Sequence, residues 1–162
     1  MKLTEKTVSK QTIYRGKIIT LRRDQAELEN GRIVTREVVE HPGGVAVAAL
    51  TERGELLMVR QFRYPFSSAL LEIPAGKLEY GEDPFACGQR ELREETGATA
   101  KIYQSLGKLY PTPAYNCEVI HLYLAQDLSF TEQKLDENEF LNVERIPFEK
   151  VVEMVLSGEI CD

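Results

Sequence analysis

The spacing of apolar and polar residues predicts strands through the first half of the chain. TIYRGKIITLRR and QAELEN lead into Asn30-Gly31, the strongest short hairpin signal. RIVTREVVE returns with partial alternation. VAVAAL (45–50) is a continuous apolar run, and GELLMVRQF (54–62) follows a short polar turn, so these two are expected to pair as a hairpin. ALLEIPAG is a shorter strand. The period then becomes helical over residues 84–96. Beyond it, ATAKIYQSLGKLY and EVIHLYLAQDL read as strands, LDENEF as an acidic loop and FLNVERI as a last strand. PFEKVVEMVLSG has the apolar spacing of a short terminal helix. Many strands with two well-separated helices predict an α/β or α+β sandwich around a mixed sheet, not an all-β barrel.

Composition narrows the classes. The 162 residues fit one domain of ordinary size, and 43% hydrophobic with 28% charged residues is a globular balance. No apolar run approaches the roughly 18–20 residues of a membrane span. The polar MKLTEKTVSKQ start has no apolar signal core, and three scattered cysteines offer neither a disulfide framework nor zinc spacing. A reducing cytoplasm is expected. His41 and His121 are isolated and read as structural. A net charge of -6 with no basic tract argues against nucleic acid as a partner. An anionic substrate would need a metal ion or a few placed arginines.

The helix carries the chemistry. Asp83 is a good N-cap, Pro84 suits the first helical position, and Gly97 suits the position just past the end. At 100° per residue, Glu91, Glu94 and Glu95 share one arc, with Phe85, Leu92 and Thr96 on an adjoining face. Arg90 and Glu94 stand i, i+4. Gly88 in mid-helix costs about 1 kcal/mol relative to Ala, so either a neighbouring segment approaches closely there or the position is tolerated. Three carboxylates on one arc repel one another, and a hard divalent cation resolves that repulsion. On the helix alone, a solvated acidic face accounts for the same three residues.

The spacing decides between them. Gly76, Glu82, Arg90-Glu91-Leu92, Glu94-Glu95 and Gly97-Ala98 match G-x5-E-x7-R-E-U-x-E-E-x-G-U, with U aliphatic, at all nine constrained positions. This stretch resembles the box of the Nudix hydrolases. The resemblance implies an α/β/α sandwich around a mixed sheet, and cleavage of a nucleoside diphosphate linked to another moiety with Mg²⁺ or Mn²⁺, two to three ions per site. It makes Glu91, Glu94, Glu95 and the Ala75 carbonyl the metal ligands. Arg90 would orient the carboxylates, and Glu82 would support them from the loop. Gly76 and Gly97 would allow backbone shapes that a Cβ obstructs.

Outside the box the chain resembles the ADP-ribose pyrophosphatase branch of that family. The matching segments are YRGKI, TREVVEHPGGVAV, MVRQFRYP, LLEIPAGKLE and YPTPAYNCE. Pro113, sixteen residues past Gly97, stands where that branch carries a proline. By this resemblance Arg36 and Arg63 contact the phosphates or terminal ribose. Glu137 in LDENEF is the catalytic base, and Glu139 is its neighbour and a metal contact. Residues 1–40 would be a strand region for homodimerisation and substrate clamping, with Tyr14 reaching toward the adenine. Residues 41–162 would be the hydrolase domain. The reaction implied is ADP-ribose to AMP and ribose 5-phosphate.

Two departures stand out. Thr112-Pro113-Ala114 replaces the branch's usual S-P-G, and the chain ends at SGEICD where relatives continue into a further helix, so a truncated C-terminal helix is expected. The alternatives are a Nudix hydrolase for GDP-mannose or NADH and a non-catalytic ADP-ribose sensor. An intact box argues against the sensor.

Overall fold

The computed structural model describes residues 2–162, with ten strands and two helices among them. They form two compact units: Met1–Gly43 with Leu109–Ile120, and Gly44–Lys108 with His121–Asp162.

The first unit is a three-stranded antiparallel sheet in the order β1 (Lys6–Arg15), β2 (Thr20–Glu27), β3 (Ile33–Glu40). The hairpin forms at Asn30-Gly31. Gly31 takes a φ of 78° and its N–H donates to the Leu28 carbonyl at 2.9 Å. TIYRGKIITLRR is two strands, not one: Gly16 N–H donates to the Ile19 carbonyl (2.9 Å) and turns the chain between β1 and β2. The 109–120 segment is tied to β3 where Val39 bonds Tyr115 and Cys117. All of β1 is exposed, Val8, Ile13 and Tyr14 included.

The second unit holds two sheets and both helices. One sheet has the order β10 (Leu141–Pro147), β5 (Glu55–Arg63), β6 (Ser68–Glu72) and is antiparallel throughout. The other runs β7 (Ala75–Lys77), β4 (Gly44–Ala49), β9 (Ile120–Phe130), β8 (Ala98–Leu109). The helices are α1 (Pro84–Thr96) and α2 (Phe148–Ser157), both where the sequence spacing puts them.

The expected β4–β5 hairpin does not form. The two strands share a single bridge, Leu50 with Leu56, and then diverge into the centres of different sheets. A continuous apolar run reports burial on both faces, but it does not say which strand lies alongside. Alternation within β5 shows what those faces meet. Leu57 packs into the core beneath α1 with Val45, Val47, Cys87, Leu92 and Ala125. Leu56 and Met58 point the other way, into a second core with Val151 and Met154 of α2. Each such buried side chain contributes about 1.5–3 kcal/mol. The helices therefore cover opposite faces of the strand layer, which is the sandwich expected.

Candidate active site

Helix α1 begins and ends as its sequence dictates. The Asp83 side chain accepts from Ala86 N–H at 3.0 Å. Gly97 has φ 70° and its N–H donates to the Arg93 carbonyl. The buried face is Cys87, Gly88, Leu92 and Glu95, a spacing of about two turns on one side. Glu95 therefore stands in the apolar stripe, only 2% exposed, while Glu91 and Glu94 flank it at the edge. Gly88 is where another segment approaches: an added Cβ would lie 2.1 Å from the Tyr103 hydroxyl. Tyr103 stacks on Tyr123, and Phe85 meets both rings edge-on.

Arg90 gathers the acidic groups. Its Nε and Nη2 donate to the two Glu82 oxygens at 3.0 and 3.1 Å, and its Nη1 lies 2.9 Å from both Glu91 Oε1 and Glu94 Oε2. Nη2 also touches the buried Cys87 sulfur at 3.4 Å. The loop carboxylate of Glu82 accepts a further bond from Glu79 N–H at 2.9 Å. The Arg90 guanidinium holds the Glu82 carboxyl down at about 2. Burial raises the Cys87 thiol to about 12.

At Glu91 and Glu95 burial outweighs the nearby arginines. Glu95 accepts from Ala75 N–H at 3.0 Å, yet burial lifts its carboxyl to about 8, with Glu139 and Glu91 adding repulsion. Burial also raises Glu91, and Glu94 and Glu139 push the same way. Gly76, on β7, leaves the space that Glu91 occupies.

A hard divalent cation suits this donor set. It consists of carboxylate oxygens, two of them held partly desolvated with raised proton affinity, beside backbone of residues 75–76. Among the described residues, no three acidic, His or Cys side chains already surround one metal-sized point. Arg90 Nη1 lies beside one oxygen each of Glu91 and Glu94, and Glu95 accepts from Ala75 N–H.

The acidic loop is hung from the end of α1. Thr131 N–H donates to the Gly97 carbonyl (2.8 Å), Lys134 N–H to Glu94 (2.9 Å), and the Gln133 side chain to Glu95 (2.5 Å). These bonds satisfy carbonyls that a helix end leaves open. Gly97 permits the approach, since an added Cβ would lie 2.3 Å from Thr131 O. In the loop that follows, Glu139 is half-buried and its charge acts on Glu91 and Glu95; Glu137 is exposed.

Arg63 ends β5 and is paired with Glu72 of β6 at 2.7 and 2.5 Å, with Glu95 close enough to act on it. Arg36, Tyr14 and Pro113 belong to the first unit. There Arg36 is forked to Glu5 at 3.0 and 2.7 Å, while Tyr14 and Pro113 are exposed. Two residues escaped the sequence reading: Glu72 and Cys87. A lone glutamate in the apolar ALLEI run was the available signal for the first.

Comparison with known proteins identifies the family. Residues 40–159 match the NUDIX domain, and residues 5–39 match the nucleoside diphosphate sugar hydrolase N-terminal domain. The chain is 46% identical to the ADP-ribose pyrophosphatase of Bacillus subtilis (strain 168), over 99% of this chain and 88% of that one. It is 40% identical to the methanol dehydrogenase activator of Bacillus methanolicus, over 98% and 86%. A crystal structure of an ADP compounds hydrolase superposes with a TM-score of 0.82 at 24% identity, covering 94% of this chain and 83% of that one. With the box intact and the family match spanning most of its length, the chain belongs to the Nudix family.

Proposed function

We propose that the protein hydrolyses the diphosphate bond of ADP-ribose, releasing AMP and ribose 5-phosphate. The observation that carries this reading is the buried Glu95 beside Glu91 and Glu94, at one end of α1, in a chain 46% identical to an ADP-ribose pyrophosphatase. Glu91, Glu94, Glu95 and the Ala75 carbonyl would hold two to three Mg²⁺ or Mn²⁺ ions. Bound there, the ions would neutralise the diphosphate, polarise phosphorus and lower the pKa of the attacking water.

The chain's own residues do the rest. Arg90 orients Glu91 and Glu94, and Glu82 fixes Arg90 from the loop. Glu137 takes the proton of the attacking water as the phosphorus–oxygen bond to the leaving phosphate breaks. Glu139, whose charge reaches Glu91 and Glu95, serves the metal side of the same loop. Arg63 and Arg36 bind the anionic diphosphate or the terminal ribose, Pro113 shapes the loop beside that ribose, and Tyr14 stacks near the adenine.

A homodimer is part of the proposal: β1 is exposed along its whole length and presents Val8, Ile13 and Tyr14. A cytoplasmic setting fits three free cysteines, and no helix among the described residues is long and apolar enough to cross a membrane.

The test is phosphate release from a panel of ADP-ribose, GDP-mannose and NADH with Mg²⁺, using a phosphatase that acts only on the products. ADP-ribose should rank first and chelator should abolish the signal. A different leader would discard the ADP-ribose assignment and keep the family chemistry.

A further inference from the structure

The Arg63–Glu72 pair is not an ordinary cross-strand contact. In the β5–β6 register Arg63 lies opposite Ser68, and Glu72 lies opposite Val59. Neighbours that pair across a sheet sit directly opposite or two residues along. These two are four residues out of register, and both side chains must lean along the strands to meet. They nevertheless form a two-pronged contact, Nε to Oε1 at 2.7 Å and Nη2 to Oε2 at 2.5 Å. The Glu72 side chain is 1% exposed and that of Arg63 is 40% exposed. Burying a carboxylate this fully is costly unless it is paired, so the contact fixes the guanidinium plane strongly. It commits only Nε and Nη2: among the described residues, nothing is bonded to Arg63 Nη1.

We infer that Glu72 is a positioning residue that holds the Arg63 guanidinium so that its uncommitted edge binds a diphosphate oxygen. The inference rests on the proposed role of Arg63 in substrate binding and adds what sets it. A guanidinium with Nε and one Nη engaged from behind keeps three N–H donors in one plane. A flexible arginine would lose conformational entropy on binding, and this one has lost it already. Nothing in the arrangement brings Glu72 itself to the substrate, so its effect should appear in binding and not in the chemical step.

The experiment is steady-state kinetics on the best substrate of the panel, with Glu72→Gln, Arg63→Ala and the double variant, each checked for folding by circular dichroism. Glu72→Gln should raise KM about tenfold and leave kcat within about twofold, the pattern of lost uniform binding. In the Arg63→Ala background the same substitution should add nothing, as expected of a residue that acts through its partner. If Glu72→Gln fails to fold, Arg63→Lys reads the same contact. It keeps the charge and Glu72 but loses the fork, and its KM should rise as well. An unchanged KM in Arg63→Lys, or in a folded Glu72→Gln, while Arg63→Ala raises KM, overturns the inference and leaves the role of Arg63 standing. An unchanged KM in Arg63→Ala removes that role, and the inference with it.

Discussion

The Cβ that Gly76 lacks would stand 2.0 Å from the carboxyl carbon of Glu91. The box glycine is there for space, because its backbone is an ordinary strand position opposite Val45. Its neighbour is the far end of a flexible side chain, which can move aside. Gly76→Ala is therefore expected to fold normally while displacing the Glu91 carboxylate. Turnover should fall by roughly 10- to 100-fold with the thermal midpoint changed little. Wild-type turnover in this variant would show that the Glu91 position does not matter.

Gly97 is constrained twice, by its φ of 70° and by the Thr131 carbonyl oxygen, which lies 2.3 Å from where a Cβ would stand. That neighbour is backbone and cannot step aside cheaply. Gly97→Ala should cost roughly 1–3 kcal/mol in urea denaturation. It should also loosen the 131–134 anchor, so hydrogen exchange at Thr131 and Lys134 should rise. Unchanged protection there would refute the anchoring role.

Glu94→Gln and Glu95→Gln should leave the fold intact and remove most activity, by at least about 100-fold. Mn²⁺ binding followed by electron paramagnetic resonance should weaken in parallel. Full activity in both variants would defeat the metal assignment.

The two loop glutamates should separate by readout. Glu137→Gln is expected to lower turnover with Mn²⁺ affinity retained, as a base should. Glu139→Gln is expected to weaken Mn²⁺ binding, because its charge acts on Glu91 and Glu95. If Glu139→Gln alone slows turnover and metal binding is unaffected, the base is Glu139.

Acid should act through Glu82. Its folded carboxyl titrates near 2, below the ordinary 4.5, because Arg90 pairs with the charged form. A depressed carboxyl contributes stability above its unfolded value and loses it as pH falls toward the folded value. The stability difference between wild type and Glu82→Gln should thus be constant above about pH 5 and shrink between about 4.5 and 2. Urea denaturation across that range measures it; a difference independent of pH would remove Glu82–Arg90 as the source.

Much of this was legible in the sequence because it was local. Asp83, Pro84 and Gly97 bound α1 through caps that depend on neighbours only, and Asn30-Gly31 set a turn the same way. The i, i+4 spacing paired Arg90 with Glu94, and the family resemblance implied that it orients the neighbouring carboxylates; its fork to Glu82 came only with the structure. What escaped was pairing over distance. The partners of β4 and β5 depend on which edges remain free, and apolar runs carry no such label. Glu72 escaped for a similar reason: its partner is four residues out of register, where no periodicity points. The burial of Glu95 was missed because three glutamates on one arc look alike until the core claims one of them.

Arg90 spans Glu82, Glu91 and Glu94 with one guanidinium. The protein therefore carries its own counterion. Many small metal-bound domains assemble only when the ion arrives, since bare ligands repel one another. Here one guanidinium offsets part of that repulsion from within the chain, at Glu91 and Glu94. If Glu91 and Glu94 hold the metal as proposed, loading would exchange an internal cation for an external one. On that reading a chelator would strip the ions and leave the chain folded.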